Sequence, residues 1–522
     1  MGSVRARLSV MMFLQYFVWG AWAVELGGYM GGVLGFSGLQ IGSVYSTTAI
    51  AAMLSPLFMG YIADRWLATE KLLALLHLVG AALLAAAAIT PTMEALSLGG
   101  LGEFDLAAHR FEVLYGLILV YALCYMPTLA LTNSISFANI ANSEKDFPLI
   151  RVFGTLGWIA AGLLVGFVLK AKPGGVVYDD VLMRLFDADS DLFKTLFAAN
   201  NFIVLAAGSS AVLGLFCLLL PHTPPKPRET TKTTTDRRSV LNLLGEPSFL
   251  VFVLASFLIC IPLAFYYNFA NLFLQQTDAP YPTALQTIGQ ISEVFFMAIM
   301  PWFIVRLGVK KMLAIGMLAW VVRYACFGTL NFPLIVFGLV LHGICYDFFF
   351  VASQIYVDTK ADESQRARAQ SFIAFVTLGL GMFVGAYVGG YIYDKHPPEI
   401  QAQAVKTETV TTPLPAWDEK AESGLAGQLN LSAEDTLDPA ELPGSYSEAA
   451  GGAELQYSRE DLAAAAKLAD RDGDGRISRS EWEAARASDW FGIWLWPAIG
   501  AGLTLLFFWF GFRDRAAEGT VK

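Results

Sequence analysis

The chain has 522 residues, of which 55% are hydrophobic and only 15% are charged, and its mean hydropathy is +0.52. Water-soluble globular domains carry about 25% charged residues, so this composition excludes an ordinary soluble protein. The formal net charge of −10 is concentrated in residues 394–489, which hold 20 acidic and 9 basic side chains.

Apolar runs long enough to span a bilayer recur along the chain. A transmembrane helix needs about 20 predominantly apolar residues. Twelve runs meet this requirement, and in chain order they cover roughly 8–30, 39–63, 71–91, 112–138, 148–170, 197–220, 247–274, 284–306, 311–330, 333–357, 369–393 and 488–512. We therefore predict an all-α membrane protein with 12 transmembrane helices.

A stretch rich in Pro, Thr and basic residues, 221–246, divides the twelve runs into six and six. It predicts a cytoplasmic linker between an N-terminal half, 1–220, and a C-terminal half. Helices 7–11 of that second half lie in 247–393, and helix 12 with a cytoplasmic tail lies in 488–522. Two six-helix halves around a central binding site are the organisation of major facilitator transporters.

Basic residues mark the side of the membrane on which each loop lies, because Lys and Arg collect on the cytoplasmic side. The loops after the second, fourth, sixth, eighth and tenth runs contain Lys and Arg, whereas the short loops near 31–38, 275–283 and 330–332 contain neither. This pattern predicts a cell-membrane protein with both termini in the cytoplasm. The acidic loop 394–487 would then be extracytoplasmic.

Four ionisable side chains stand out within the apolar runs, where a charge is costly and by default indicates function. They are Arg151, Glu293, Arg323 and Asp347. Structural alternatives remain for each of three: Arg151 can extend to the lipid headgroups, Glu293 can be a hydrogen-bond partner only, and Asp347 can pair with Arg323.

Two helical faces combine these charges with other polar groups. Arg151, Thr155 and Trp158 follow one another at i, i+4 and i+7, and Gln290 lies one turn before Glu293. A polar, ring-shaped solute suits such a site, since aromatic rings can stack on its flat part while amide and carboxyl groups bond its edges. A carboxyl group there can also carry a proton.

Several motifs resemble those of the nucleoside:proton symporters of the major facilitator superfamily. They are FLQYFVWGAW in span 1, YMPTLALTNSISF in span 4, DFPLIRVFGTLGW in span 5, GQISE in span 8 and YDFFF in span 10. The resemblance covers nearly every span in order but leaves out the acidic loop. It implies a monomeric proton-coupled importer of nucleosides that needs no cofactor for transport.

The resemblance also implies roles for individual residues. Nucleoside-binding positions fall on Arg151, Thr155, Trp158, Gln290, Glu293 and Tyr346, and proton coupling falls on Glu293 and Asp347. Two positions depart from the family pattern. Ala264 and Tyr267 replace a glutamine and an asparagine in span 7, where Asn268 is the nearest polar substitute, and His342 stands where a tyrosine is expected.

The acidic loop contains DRDGDGRISRSE, residues 470–481, which fits the twelve-residue EF-hand calcium loop. The expected Ca²⁺ ligands are Asp470, Asp472, Asp474, the backbone carbonyl of Arg476, Ser478 and Glu481. Helix-forming segments flank the loop, so we predict an EF-hand at 458–487. It has no evident partner loop, and residues 398–457 receive no predicted fold. Calcium could act there as a structural clip or as a regulator of transport.

Two other functions remain open from the residues alone. One is a proton-linked carrier of another polar solute, such as a sugar, and the other is a calcium-responsive membrane receptor that transports nothing. No nucleophile–base arrangement or phosphate loop is evident, so no enzyme activity is predicted. The expected partners are a nucleoside, a proton, calcium and the lipid bilayer, with no nucleic acid.

Overall fold

The computed structural model describes 2–65, 67–89, 95–97, 103–105, 108–169, 200–224, 240–277, 279–361, 365–398, 425, 429, 436–450, 453–470 and 473–513. Parts of the predicted linker 221–246, of the acidic loop and of the C-terminal tail lie outside these residues, as does the predicted calcium ligand Asp472.

The first half of the chain is helical. Its helices are α1 Gly2–Ala23, α2 Leu26–Gly32, α3 Gly38–Arg65, α4 Thr69–Ile89, α5 Arg110–Asn139, α6 Ser143–Leu163 and α7 Asn201–Cys217. A π-helical turn, Leu164–Leu169, extends α6. Helices suit these apolar sequences because a backbone inside lipid must satisfy its N–H and C=O groups within its own segment.

The second half follows a short 3₁₀ helix, Val240–Gly245. Its helices are α8 Pro247–Gln276, α9 Pro282–Gly328, α10 Phe332–Val340, α11 His342–Tyr346, α12 Ala352–Lys360, α13 Arg366–Ala374 and α14 Met382–Lys395. Two π-helical turns, Asp347–Val351 and Phe375–Gly381, join α11 to α12 and α13 to α14. The last helix, α17, is Trp490–Gly511.

The long element α9 contains two predicted spans, 284–306 and 311–330. Its backbone breaks at Gly308, with φ 70° and ψ 169°, a conformation that glycine adopts without a Cβ clash. In the described part of the chain, nine helical stretches are long and apolar enough to cross a membrane, and Asn201–Cys217 is a shorter apolar helix. Within the described residues, each of the twelve predicted runs overlaps a helix.

Three short antiparallel strand pairs add to the predicted all-α architecture. A hairpin between α4 and α5 pairs β1 Ala95–Ser97 with β2 Glu103–Asp105. In the acidic loop, β3 Thr436–Leu437 pairs with β6 Ile477–Ser478, and β4 Ser445–Ala450 pairs with β5 Ala453–Ser458. No fold was predicted for residues 398–457, so β3, β4 and β5 add to the predicted helical architecture without contradicting it.

The two halves meet closely at one end of the helices, here called the insertion end, which carries the described residues 33–37, 279–281, 396–398 and 487–489. The opposite, linker end carries the described residues 67–69, 140–143, 221–224 and 240–246. At the insertion end, a Cβ atom at Gly42 would clash with the carbonyl oxygen of Ala386, and one at Gly390 would clash with that of Gly38. Helices α3 and α14 therefore pack backbone to backbone there.

A buried polar cluster also joins the halves at the insertion end. Glu25, between α1 and α2, is 4% exposed. The hydroxyl of Thr283 donates to its Oε2, and Gln275 Nε2 donates to its Oε1 at 3.1 Å. Asn271 Nδ2 donates to the Thr283 hydroxyl at 3.0 Å. Both carboxyl oxygens of Glu25 thus accept hydrogen bonds across the interface between the halves.

The described part of the acidic loop forms a packed unit with its own core. Helices α15 Arg459–Ala469 and α16 Arg479–Arg486 flank the loop 470–481. Their core is separate from those of the membrane helices and consists of Leu425, Leu437, Leu442, Tyr446, Leu462, Ala465, Ala466, Ala469, Ile477, Trp482 and Ala485. The unit therefore begins well before the predicted boundary at 458.

This unit is held against the insertion end by hydrogen bonds. The backbone N–H of Ser488 and the indole N–H of Trp490 both donate to Gln276 Oε1, at 3.0 and 2.9 Å. His396 Nδ1 and Asp489 Oδ2 lie 2.8 Å apart. Only three residues separate α16 from α17, so the exit of the loop leads directly into the last membrane helix.

Candidate functional site

A cavity of about 690 Å³ lies between the two halves. Binding sites for small molecules typically measure about 300–1,000 Å³. Both halves contribute polar and aromatic side chains to its wall: Tyr16, Trp19, Trp22, Tyr45, Thr48, Ser55, Ser134, Arg151, Thr155, Trp158, Tyr267, Asn268, Gln290, Glu293, His342 and Tyr346. The cavity extends toward the linker end along α3 and α5, and the backbone contact of α3 with α14 closes it toward the insertion end.

Helix α6 supplies one polar wall. Arg151, Thr155 and Trp158 all line the cavity, as their spacing on one helical face predicts. The Arg151 guanidinium lies 4.2 Å from the centre of the Tyr16 ring, and the Trp158 ring packs edge-on against Trp19 with centroids 5.4 Å apart. Arg151 is therefore directed to the cavity, rather than toward lipid headgroups.

Helices α8, α9 and α11 supply the facing wall. Gln290 and Glu293 lie on α9, and Glu293 keeps a 17% exposed side chain at the cavity. Asn268 on α8 is buried, and its Nδ2 has no hydrogen-bond partner among the residues that the structure describes. An unpartnered amide donor at a cavity wall is a ready contact for a polar ligand.

A chain of three side chains runs behind this wall. Arg323 is fully buried, and its Nη1 lies 2.9 Å from His342 Nδ1. Arginine has donors only, so Nδ1 of the imidazole must accept, and the imidazole proton then resides on Nε2. His342 Nε2 faces Glu293 Oε2 at 4.0 Å. The Arg323 guanidinium also lies over the Tyr266 ring, 3.6 Å from its centre.

Asp347 lies outside the cavity wall, at the start of the π-helical turn that follows α11. It is fully buried, and neither of its carboxyl oxygens has a hydrogen-bond partner in the described part of the chain. Arg323, the partner that the sequence left open for it, bonds His342 instead. Of the predicted site residues in the membrane helices, Asp347 alone is not brought to the cavity.

Sequence analysis assigned no role to the aromatic residues of α1 and α3 that line the cavity. Tyr16, Trp19 and Trp22 follow one another every three residues on α1, and Tyr45 faces them from α3. Their spacing was the available signal, because i and i+3 positions share a helical face. Their burial, however, depends on a neighbouring helix that local sequence does not identify.

The loop 470–481 is closed by hydrogen bonds from its own backbone. Asp470 accepts from Gly473 N at 2.8 Å and from Gly475 N at 3.1 Å. Glu481 Oε2 accepts from the backbone N–H and the hydroxyl of Ser478, at 2.9 and 2.7 Å. Carboxylate and hydroxyl oxygens of this kind are the ligands that Ca²⁺ prefers. Within the described residues, which leave out Asp472, no group of three His, Cys, Asp or Glu side chains is arranged to hold a metal ion.

Comparison with known sequences places residues 2–399 in the range of one family model, described as nucleoside H⁺ symporter. The chain is 41% identical over 399 residues to the Escherichia coli protein named "Putative nucleoside transporter YegT", which covers 75% of this chain and 84% of that protein. It is 32% identical to the xanthosine permease of E. coli, over 75% of this chain and 88% of the permease.

Comparison with solved structures also finds transporters. The crystal structure of the nucleoside transporter NupG is similar with a TM-score of 0.59 at 28% identity, over 76% of this chain and 92% of that one. A bacterial homologue of the human lysosomal transporter Spinster, in an inward-facing and occupied conformation, has a TM-score of 0.63 at 13% identity, over 98% and 96% of the two chains. That second likeness concerns the fold alone.

Proposed function

The chain belongs to the nucleoside H⁺ symporter family and imports nucleosides together with protons, and we propose that the cavity between its halves is the nucleoside site. The observation that carries this proposal is the meeting of two polar walls, one from each half. Arg151, Thr155 and Trp158 face Gln290 and Glu293 across a single cavity. A site shared by two halves that move against each other is what alternating access requires.

The side chains of the cavity match the two kinds of surface that a nucleoside presents. Its base is flat and can stack on Trp158 or Tyr346, while its hydroxyl and ring polar groups need donors and acceptors. Arg151 offers donors only, and Thr155 and Gln290 offer both. The free Nδ2 of Asn268 adds a donor at the position where the family pattern departs.

We assign the transported proton to Glu293, with Asp347 in support. A charged carboxylate that crosses between two states within the membrane carries a large desolvation cost, and a neutral carboxylic acid does not. The Nε2–H of His342 faces the Glu293 carboxyl at 4.0 Å. Proton loss and gain at Glu293 can therefore alternate with nucleoside release and binding.

The closed insertion end and the extended cavity correspond to an inward-facing state in this proposal. It takes the basic linker end as cytoplasmic, with both termini inside, twelve membrane spans and a monomer in the cell membrane. The acidic loop would then be extracytoplasmic. Helices α3 and α14, which meet at Gly42 and Ala386, would have to separate when the site opens to the outside.

We further propose that residues 470–481 bind one Ca²⁺, through Asp470, Asp472, Asp474, the Arg476 carbonyl, Ser478 and Glu481. The bonds of Asp470 and Glu481 to their own loop already hold it in a turn, and glycines at φ 74° and 78° permit that turn. In this proposal the ion orders the extracytoplasmic unit and takes no part in the transport cycle.

Uptake of labelled uridine by cells that express the protein tests the transport assignment. We expect uptake that a protonophore abolishes and that Glu293→Gln removes. Glu246→Gln is the matched control, since this exposed glutamate pairs with Lys360 away from the cavity. Competition by unlabelled nucleosides but not by sugars is expected. Concentrative, protonophore-sensitive uptake that persists in Glu293→Gln would overturn the role of Glu293.

A further inference from the structure

The short strand inside the proposed calcium loop has a partner that the sequence did not reveal. Strand β6 pairs antiparallel with β3, with Leu437 opposite Ile477 and Thr436 opposite Ser478. An isolated two-residue strand has no stability of its own, so β3 is what fixes the backbone of β6. The sequence showed no evident partner loop, and β3 is a partner strand that it did not reveal.

The segment that contains β3 repeats the frame of the calcium loop. Residues 430–441, NLSAEDTLDPAE, align with 470–481, DRDGDGRISRSE, at a constant separation of 40 residues. The apolar eighth positions are Leu437 and Ile477, the two residues that face each other in the strand pair. The twelfth position is glutamate in both frames.

The packing follows the same separation of 40 residues. Leu442 and Trp482 come directly after the two frames, and both belong to the core of the unit. Five positions before each frame, the core contains Leu425 and Ala465. Equivalent positions before, within and after both frames therefore pack in one core.

We propose that residues 425–487 form one unit of two EF-hand-like loops, in which 430–441 binds no ion and holds the calcium loop in its binding conformation. This proposal rests on the calcium site of the proposed function. The first frame has Asn430 and Ser432 where the second has aspartates, and Asp435 where the second has a glycine at the sharp turn. It therefore lacks the aspartates of the first and third positions and the glycine of the sharp turn, yet keeps the residues that pair and pack.

The pairing has a direct consequence for calcium affinity. Strand β6 contains Ser478 and follows Arg476, the proposed ligands at the ninth and seventh positions. A partner strand that fixes this backbone before the ion arrives lowers the ordering cost of binding. Leu437 is then a positioning residue: it contacts no ion and acts through Ile477.

A cross-linking experiment tests the pairing without reference to calcium. Thr436→Cys and Ser478→Cys are introduced together in the full chain, whose native cysteines all lie in membrane helices. We expect an oxidant to link the two positions, as detected by mass spectrometry of digested protein, in calcium or in chelator; each single variant is the control. No link under either condition would overturn the pairing.

A calcium titration of the purified full chain tests the positioning role. We expect one Ca²⁺ per chain, no binding after Glu481→Gln, and affinity weaker by about tenfold after Leu437→Ala. Leu437→Ile, which keeps the volume and favours a strand, should restore most of the affinity. Unchanged affinity in Leu437→Ala would overturn the positioning role, and two ions per chain would overturn the ion-free assignment of 430–441.

The two experiments separate this inference from the calcium proposal. If the double-cysteine variant forms the cross-link but the wild-type chain binds no Ca²⁺, the calcium site and its positioning are contradicted, while the paired unit stands. If the wild-type chain binds Ca²⁺ but the double-cysteine variant forms no cross-link, the paired unit alone is contradicted.

Discussion

Two buried carboxyl groups among the membrane helices, Glu25 and Asp347, have opposite surroundings. Both oxygens of Glu25 accept hydrogen bonds, from Thr283 and Gln275 in the other half of the chain. Neither oxygen of Asp347 has a partner in the described part of the chain. A satisfied carboxyl group can hold helices together at little cost, whereas an unsatisfied one costs about 1–3 kcal/mol or more.

The difference indicates that Glu25 and Asp347 have different roles. The Glu25 cluster crosses the interface between the halves, so it stabilises the state in which the insertion end is closed and must break when that end opens. Asp347 lies within one half, and its carboxyl oxygens make no hydrogen bond to any residue that the structure describes. We infer that its cost is retained for the transport cycle, since unsatisfied buried groups in native proteins are otherwise rare.

The largest effect is expected at Asp347. Asp347→Asn should remove protonophore-sensitive accumulation, because the amide cannot take part in proton exchange. Asp347→Leu should leave the fold as stable as the wild type or raise its stability by about 1–3 kcal/mol, since the unsatisfied carboxyl is gone. Uridine uptake and thermal unfolding of the purified protein measure the two effects. Destabilisation by Asp347→Leu together with normal uptake in Asp347→Asn would make this residue structural.

The second prediction concerns the Glu25 cluster. Glu25→Ala leaves Thr283 and Gln275 without their acceptor, which should destabilise the closed insertion end by about 1–3 kcal/mol. A cysteine introduced at Thr48, in the cavity wall, should then be labelled faster by an impermeant reagent added from outside the cell. Glu25→Gln keeps one acceptor oxygen and should give a smaller increase. Equal labelling in all three proteins would show that the cluster does not hold the end closed.

A third prediction concerns His342, which has two roles: its Nδ1 accepts a hydrogen bond from Arg323, and its Nε2–H faces Glu293. His342→Gln retains an acceptor for Arg323, while His342→Phe leaves this buried guanidinium without one and should destabilise the protein by about 1–3 kcal/mol more. Uptake should fall in both variants, because the N–H that faces Glu293 is lost or displaced. Thermal unfolding and uridine uptake check the two parts. Equal stability of the two variants would remove the role of His342 as the acceptor of Arg323.

Local sequence was sufficient for part of this description. The apolar runs located the helices, and the i, i+4, i+7 spacing of Arg151, Thr155 and Trp158 located one wall of the cavity. Both signals arise within a single helix. The Glu25 cluster was missed, although Glu25 lies in the first predicted span, because its partners are some 250 residues away in the chain.

The strand partner of the proposed calcium loop was missed for a different reason. Residues 430–441 lack the first, third and fifth aspartates and the sixth-position glycine by which an EF-hand loop is recognised, and they share with 470–481 an apolar pattern of few residues. The role of Leu437 and Leu442 is visible only in the fold, where they pack with Ile477 and Trp482 in one core. Periodicity within a segment cannot supply that information, whereas comparison of the segment with its own repeat can.

The smallest effect is expected from removal of calcium. This prediction extends the comparison of Glu25 and Asp347 to the carboxyl groups of the proposed calcium loop, which neither hold the insertion end closed nor carry the proton. Chelation should leave uridine uptake within about twofold of the untreated value, a change of under about 0.5 kcal/mol. Asp470 and Glu481 belong to a unit whose core is separate from the membrane helices, so its loosening need not reach the cavity.

Protease cleavage after Arg459 and Lys467 should nevertheless become faster, as gel analysis of intact cells would reveal. A large loss of uptake in chelator that Glu481→Gln without chelator does not reproduce would instead indicate a second calcium requirement. If Glu481→Gln without chelator shows the same loss, the hydrogen bonds of Ser488 and Trp490 to Gln276, next to the Glu25 partner Gln275, become the route from calcium to the closed insertion end.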